Sequence, residues 1–262
     1  MTTAPSGGAA PVPALPEPLV ARLEVLLCDA DGNLFPSEEP AFVASADVTN
    51  RFLADLGVDR RFTPEELRLA TTGMNFRTTS RRLAAEAGSP DVDVEPWVAE
   101  EKRAVTAYLG EVLRPHEETT AAVTELAAHL RPAVVSSSAL TRLDACFRAT
   151  GLAAVLPPEV RFSAEDSLPV PTSKPDPAVY LFACAQLGIA PEEGLAVEDS
   201  VPGAQSSVAA GIPTVGNLQF VAPAERAERE RQLLDVGVLA VVTSWGELER
   251  LLSPSAEPAV QG

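Results

Sequence analysis

Four short runs of this chain combine residue types that handle phosphate and hard cations. Asp29-Ala30-Asp31-Gly32 places two carboxylates two residues apart, at the end of the apolar run Val25-Leu26-Leu27-Cys28. Carboxylates that close repel, which raises the pKa of one unless a cation holds the other ionised. A metal at Asp29, with Asp31 left to move a proton, resolves the conflict. Gly32 lets the backbone turn and leaves N–H groups open toward an anion. The same run would also serve as an Asx-turn. Glu198-Asp199 closes a second apolar run, Leu195-Ala196-Val197. Two carboxylate pairs of this kind suit magnesium, which takes few protein oxygens, keeps several waters and accepts a phosphate oxygen.

Ser136-Ser137-Ser138 follows Ala133-Val134-Val135 and precedes a helical pattern from Leu140 to Thr150. Hydroxyls and free N–H groups at a helix N-terminus make a phosphate site, while helix capping alone would engage one serine. Lys174 stands before Pro175-Asp176-Pro177, so it is held in extended backbone at the entrance of a helix running to Leu187. Its use there is to neutralise charge on a phosphate and on a nucleophile. Only one other lysine, Lys102, occurs in the chain.

These runs are positioned by short apolar strands that alternate with helical patterns. Val25–Cys28, Ala133–Val135, Leu195–Val197, Pro213–Val215 and Val238–Val242 are continuously apolar, as strands of a parallel sheet covered on both faces must be. Functional residues just beyond the carboxyl ends of such strands sit where open α/β sheets place their sites. Residues 38–115 lack strand-like runs and read as amphipathic helices around Phe42–Leu56, Pro64–Thr71, Arg77–Ala87 and Pro96–Leu113, with turns at Gly57, Gly73 and Gly88. This block is either a cap inserted after the first strand or a helical excursion of one core. Pro, Ala and Gly dominate residues 1–20, and residues 254–262 resemble them, so both ends read as disordered tails.

At 262 residues with a formal charge of −17, the chain lacks the basic excess that nucleic acid or an anionic membrane surface requires. Cys28, Cys146 and Cys184 are odd in number and scattered, as in a reduced compartment. The N-terminal segment has no basic or apolar signal region, and no stretch approaches the ~18 apolar residues of a membrane span. A cytoplasmic location and no obligate protein partner are the expectation.

Together the four runs are similar to the motifs of the haloacid dehalogenase superfamily, nearest its β-phosphoglucomutase-like and phosphoglycolate-phosphatase-like branch, over roughly residues 22–252. Asp29-Ala30-Asp31-Gly32-Asn33-Leu34 resembles the Asp-x-Asp-Gly-Thr-Leu signature. Ser136 matches the second motif, Lys174-Pro175-Asp176-Pro177 the lysine motif, and Glu198-Asp199-Ser200 with Gly203 and Ala210-Gly211 the acidic motif. The resemblance implies an α/β, Rossmann-like doubly wound core formed by residues 21–37 and 116–253, with an all-helical cap at 38–115. It implies a phosphatase in which Asp29 forms an aspartyl-phosphate with a small phosphorylated metabolite and Asp31 is general acid and base. Mg2+ is then held by Asp29, the Asp31 carbonyl and Asp199, with Glu198 in a supporting or water-mediated place. Ser136 and Lys174 hold the phosphoryl oxygens, within a phosphate pocket that also includes Gly32, Asn33, Ser137 and Ser138.

Two departures stand out. Asn33 replaces the usual threonine, which is expected to retune the site because the amide still hydrogen-bonds. Pro36 replaces a common aspartate and stiffens the hinge into the cap. Thr72-Gly73-Met74-Asn75-Phe76-Arg77 is the counterpart of the branch's substrate-reading loop. Asn75 and Arg77 therefore either read a distal substrate group, or Arg77 is a surface residue of a first helical turn. Metal-free dehalogenases lack a second aspartate like Asp31, and phosphonate-cleaving relatives need an early cap lysine that is absent here. A sugar-phosphate mutase or an inactive phosphometabolite-binding protein are the alternative functions.

Overall fold

A computed structural model describes residues 15–71 and 74–252. In chain order its elements are α1 (Glu17–Val20), β1 (Val25–Cys28), α2 (Glu38–Asp55), α3 (Pro64–Ala70), α4 (Phe76–Glu86), α5 (Glu95–Val112) and α6 (Glu117–Leu126). There follow β2 (Arg131–Ser136), α7 (Leu140–Thr150), β3 (Arg161–Ser163), α8 (Ala178–Leu187), β4 (Gly194–Glu198), α9 (Val201–Ala209), β5 (Thr214–Asn217), α10 (Arg226–Val236), β6 (Ala240–Val242) and α11 (Trp245–Leu252). The strands form one parallel sheet in the order β3-β2-β1-β4-β5-β6. The chain winds outward from β1 to β3 and then returns to the other side of β1. Between β1 and β4 lies the switch point, where such sheets open a crevice at their carboxyl edge.

Both faces of β1 are covered, which explains its unbroken apolar run. Val25 and Leu27 enter one layer with Val179, Tyr180 and Ala183, whereas Leu26 and Cys28 enter the other with Phe147, Leu143 and Trp245. The edge strand β3 was not apparent from the sequence. Its Arg161 is nonetheless buried, because the guanidinium lies 4.2 Å over the Phe147 ring and donates to Asp144 at 2.8 Å and the Leu156 carbonyl at 2.9 Å.

Helices α2 to α5 lie between β1 and β2 and share a core of Phe52, Leu53, Phe62, Leu67, Leu83 and Val98. Helix α2 starts at Glu38, ahead of the expected Phe42, since Glu38 and Glu39 suit the positive end of a helix. Ala44 of α2 and Val105 and Leu109 of α5 pack instead into the layer beneath the sheet, joining the two cores. Ion pairs between Lys102 and Glu165, and between Arg68 and Glu225 at 2.9 Å, link the same two regions.

Residues 15–20, read as part of a tail, are structured: α1 forms and both Leu15 and Leu19 are buried against the main core. The rest of the two expected tails, and the Gly73 turn, lie outside the described residues. Among the described residues no helix is long and apolar enough to cross a membrane.

Candidate active site

The Asp29 N–H donates to the Val197 carbonyl at 3.0 Å, which ties the root of the first acidic loop to β4. Its side chain meets Lys174, which enters from the segment between β3 and α8. The Lys174 ammonium donates to Asp29 Oδ1 at 2.6 Å, Glu198 Oε1 at 2.6 Å and the Val135 carbonyl at 2.8 Å. Three acceptors match its three hydrogens. The Ser137 hydroxyl accepts the Lys174 N–H at 3.0 Å, fixing the segment from below. Tyr180, on α8, donates its hydroxyl to Glu198 Oε1, and the ammonium lies 5.1 Å from its ring centroid. Burial opposes the charge on Lys174, but Asp29 and Glu198 outweigh it and hold the ammonium well above the ordinary lysine range.

Asp29, Glu198 and Asp199 each place an oxygen within 4.8 Å of the others. All three residues are buried, at 7 %, 0 % and 7 % exposure. Among the described residues Glu198 Oε2 and Asp199 Oδ1 have no hydrogen-bond partner, although a buried acceptor left unmade is costly. Burial pushes the Asp29 carboxyl up; Lys174 pulls it down, Glu198 and Asp199 push it up again, and the balance is upward. Burial and then Glu198 push Asp199 up to about 7, against Arg229 and Lys174. Against these three carboxylates stand the Lys174 ammonium, in contact with two of them, and Arg229, which donates to the Asp199 main-chain carbonyl at 2.7 Å, so negative charge is in excess when all are ionised. The donor set therefore fits a hard divalent cation. Gly32 belongs to the same cradle: its φ is +78°, and a Cβ there would lie 2.4 Å from Asp199 Oδ2. Its N–H is not open to an anion, because it donates to the Phe35 carbonyl at 3.0 Å.

Asp31 lies across the crevice, gripped by three donors. Ser37 and Ser138 donate hydroxyls to its two oxygens at 2.6 and 2.7 Å, and an Arg142 nitrogen stands 3.5 Å from Oδ1. Burial alone would push this carboxyl up, but Arg142 and then the Ser138 and Ser37 hydrogen bonds outweigh it, and the net shift is downward. Ser136 Oγ accepts the Ser138 N–H at 3.0 Å, and its own proton meets no acceptor among the described residues. None of the three serines caps α7. That N-cap is Ala139, and Asp166 accepts the Leu140 N–H at 2.6 Å instead.

Three expected substrate contacts are placed elsewhere. Asn33 is fully buried, with both ends of its amide engaged by Asp29, Val197 and Asn217, so it cannot face a phosphate. Asn75 caps α4 by accepting the Thr78 N–H at 2.9 Å. Arg77 closes on Glu95 through two 2.7 Å bonds that tie α4 to α5. Conversely, Ser37, Arg142 and Tyr180 touch the site without having been singled out. Ser37 directly follows the Pro36 departure noted in the sequence, but Arg142 and Tyr180 sit inside helices with no local signal.

An open, Rossmann-like parallel sheet gathers an aspartate pair, a lysine and a buried acidic pair at its switch point. The chain belongs to the haloacid dehalogenase-like hydrolases, whose family model matches residues 23–211. It is similar to Protein CbbY of Cereibacter sphaeroides, 31% identical over 220 residues that cover 81% of this chain and 92% of that one. Hexitol phosphatase A of Escherichia coli is 28% identical over 200 residues, covering 74% and 82% of the two chains. Among solved structures, a HAD family hydrolase from Deinococcus radiodurans with bound phosphate and sodium matches with a TM-score of 0.63 and 26% identity, covering 90% of this chain and all of that one.

Proposed function

We propose that this hydrolase is a magnesium-dependent phosphatase that cleaves a small phosphomonoester, such as a sugar or polyol phosphate, through an aspartyl-phosphate on Asp29. The observation that carries this reading is the Lys174 ammonium between Asp29 and Glu198, beside two carboxylate oxygens that lack any partner among the described residues. The relative named as a hexitol phosphatase supports the substrate class.

Asp29 Oδ2 is the oxygen left free by Lys174, and it attacks phosphorus as the bond to the leaving alkoxide breaks. Asp31, ionised in the free site, takes up a proton from solvent as the anionic substrate binds beside it and gives that proton to the leaving alkoxide. It then takes a proton from water, which attacks the phosphoryl group, releases phosphate and restores the Asp29 carboxylate. Lys174 and the Ser136 hydroxyl hold charge on the equatorial phosphoryl oxygens. Asp29, Asp199 and the Asp31 carbonyl, with Glu198 in support, would hold a magnesium ion, which would supply the charge that lets an anionic carboxylate approach an anionic ester. Helices α2–α5, within residues 38–115, act as the cap that excludes water from the phosphorylated aspartate.

The test is hydrolysis of p-nitrophenyl phosphate with magnesium and with chelator. Turnover in magnesium that vanishes both in chelator and in Asp29→Asn is expected. Wild-type turnover by a folded Asp29→Asn protein removes Asp29 as nucleophile.

A further inference from the structure

Asn33 marks the chain's departure from the threonine usual in its first motif, and its amide does not face the crevice. What it does instead bears on the phosphatase reading, on which this inference rests. Asn33 Nδ2 donates to two main-chain carbonyls, Asp29 O at 2.9 Å and Val197 O at 3.0 Å. An amide nitrogen carries two hydrogens, so both are engaged. Val197 O also accepts the Asp29 N–H at 3.0 Å. One side chain thus joins the residue that bears the nucleophile to the residue immediately before Glu198-Asp199.

The orientation of the amide follows from its neighbours. Two carbonyls can face only the NH2 group, which leaves Oδ1 to accept, and it does so from Asn217 Nδ2 at 2.8 Å. Asn217 is the last residue of β5 and is fully buried; its own Oδ1 accepts the Gln219 N–H at 3.1 Å. The main-chain carbonyl of Asn33 accepts from Trp245 Nε1 at 2.8 Å. Both amide hydrogens and the amide oxygen are therefore engaged, by residues at the ends of β1, β4 and β5, while α11 holds the Asn33 main chain. A threonine hydroxyl has one hydrogen and would satisfy one of the two carbonyls but not both.

We propose that the buried Asn33–Asn217 amide pair is a positioning device, which sets the separation of the Asp29 and Asp199 carboxylates across the β1–β4 edge and so governs cation affinity and turnover without touching substrate. Outer groups that orient ligand-bearing residues characteristically change metal affinity or activity when removed.

The experiment compares full-length wild type, Asn33→Thr, Asn217→Ala and the double variant. Magnesium affinity is read by titration calorimetry, kcat and KM for p-nitrophenyl phosphate at saturating magnesium, and stability by thermal melting. Asn33→Thr is expected to weaken magnesium binding and lower kcat by about 10-fold each, with KM unchanged. Asn217→Ala moves both in the same direction by less, and the double variant matches Asn33→Thr, since both act through one link. Should Asn33→Thr fail to fold, Asn217→Ala carries the test, because it keeps both bonds from Asn33 to the carbonyls. A variant that melts lower but keeps wild-type magnesium affinity and kcat overturns the proposal and leaves a packing role. Wild-type protein that binds magnesium but hydrolyses no phosphate ester refutes the phosphatase reading instead, and the affinity comparison still stands.

Discussion

Replacing Lys174 by methionine removes one positive charge from the site with little loss of volume. In the wild type the Lys174 side chain is 5% exposed and its ammonium bonds Asp29 and Glu198, which are 10% and 0% exposed at their side chains. The variant leaves the buried Asp29 and Glu198 carboxylates with no cation in contact among the described residues, while Arg229 still bonds the Asp199 main-chain carbonyl. Removing one partner of a buried ion pair costs about 3–5 kcal/mol. For a chain of this size that corresponds to a melting temperature lower by roughly 6–20 °C. The ammonium is raised above its ordinary range, so its stabilisation is fully present at neutral pH and is lost only as pH rises through the folded value. A divalent cation offsets the loss, because the triad of the variant is one charge more negative; at a hundredfold excess over Kd, binding stabilises by about 2.7 kcal/mol. Turnover falls by about 10²–10³-fold even when magnesium saturates, the cost of one missing charge-assisted contact to a phosphoryl oxygen. Differential scanning fluorimetry in chelator and in magnesium, together with p-nitrophenyl phosphate kinetics, measures both effects. A melting temperature in chelator equal to that of wild type refutes the reasoning, because it means the three carboxylates do not depend on this cation.

Two further outcomes follow from the same geometry. Gly32→Ala forces a Cβ against Asp199 Oδ2 at a φ of +78°; the backbone conformation alone costs roughly 1–2 kcal/mol, and magnesium affinity should drop, so unchanged affinity by calorimetric titration contradicts the cradle. Asp199 binds its proton more tightly folded, at about 7, than unfolded, at 3.8. In chelator its contribution to stability therefore declines as pH rises between those values. Magnesium must displace that proton below pH 7, so binding heats should differ between buffers of unequal ionisation enthalpy; equal heats count against a protonated Asp199.

The parallel sheet and the acidic and lysine loops gathered at its carboxyl edge were legible because they depend on local pattern. Val25–Cys28 is apolar at four consecutive positions, which only a strand covered on both faces requires. Asp29, Lys174 and Asp199 each follow or flank a structural breakpoint, and the topology brings them together. What was not legible depends on distant partners. Asn33 bonds Val197 and Asn217, 164 and 184 residues away, and no local feature tells an amide facing a phosphate from one facing two carbonyls. Tyr180 lies in the apolar run of α8, where its hydroxyl contact with Glu198 leaves no periodic trace. Strand β3 has three residues and begins with an arginine, so its burial rests on Phe147 and Asp144 rather than on its own composition. The proline-rich start concealed Leu15 and Leu19, two apolar residues that suffice to hold α1 against the core.

The nucleophile itself is open to direct chemical capture. Acid quench during steady-state turnover, followed by borohydride, reduces a phosphorylated aspartate to homoserine, and peptide mass spectrometry locates it. Homoserine at position 29, formed with substrate and magnesium and absent in chelator, is the predicted result. Steady turnover with an unmodified Asp29, or with the phosphoryl group on Ser136, contradicts the account.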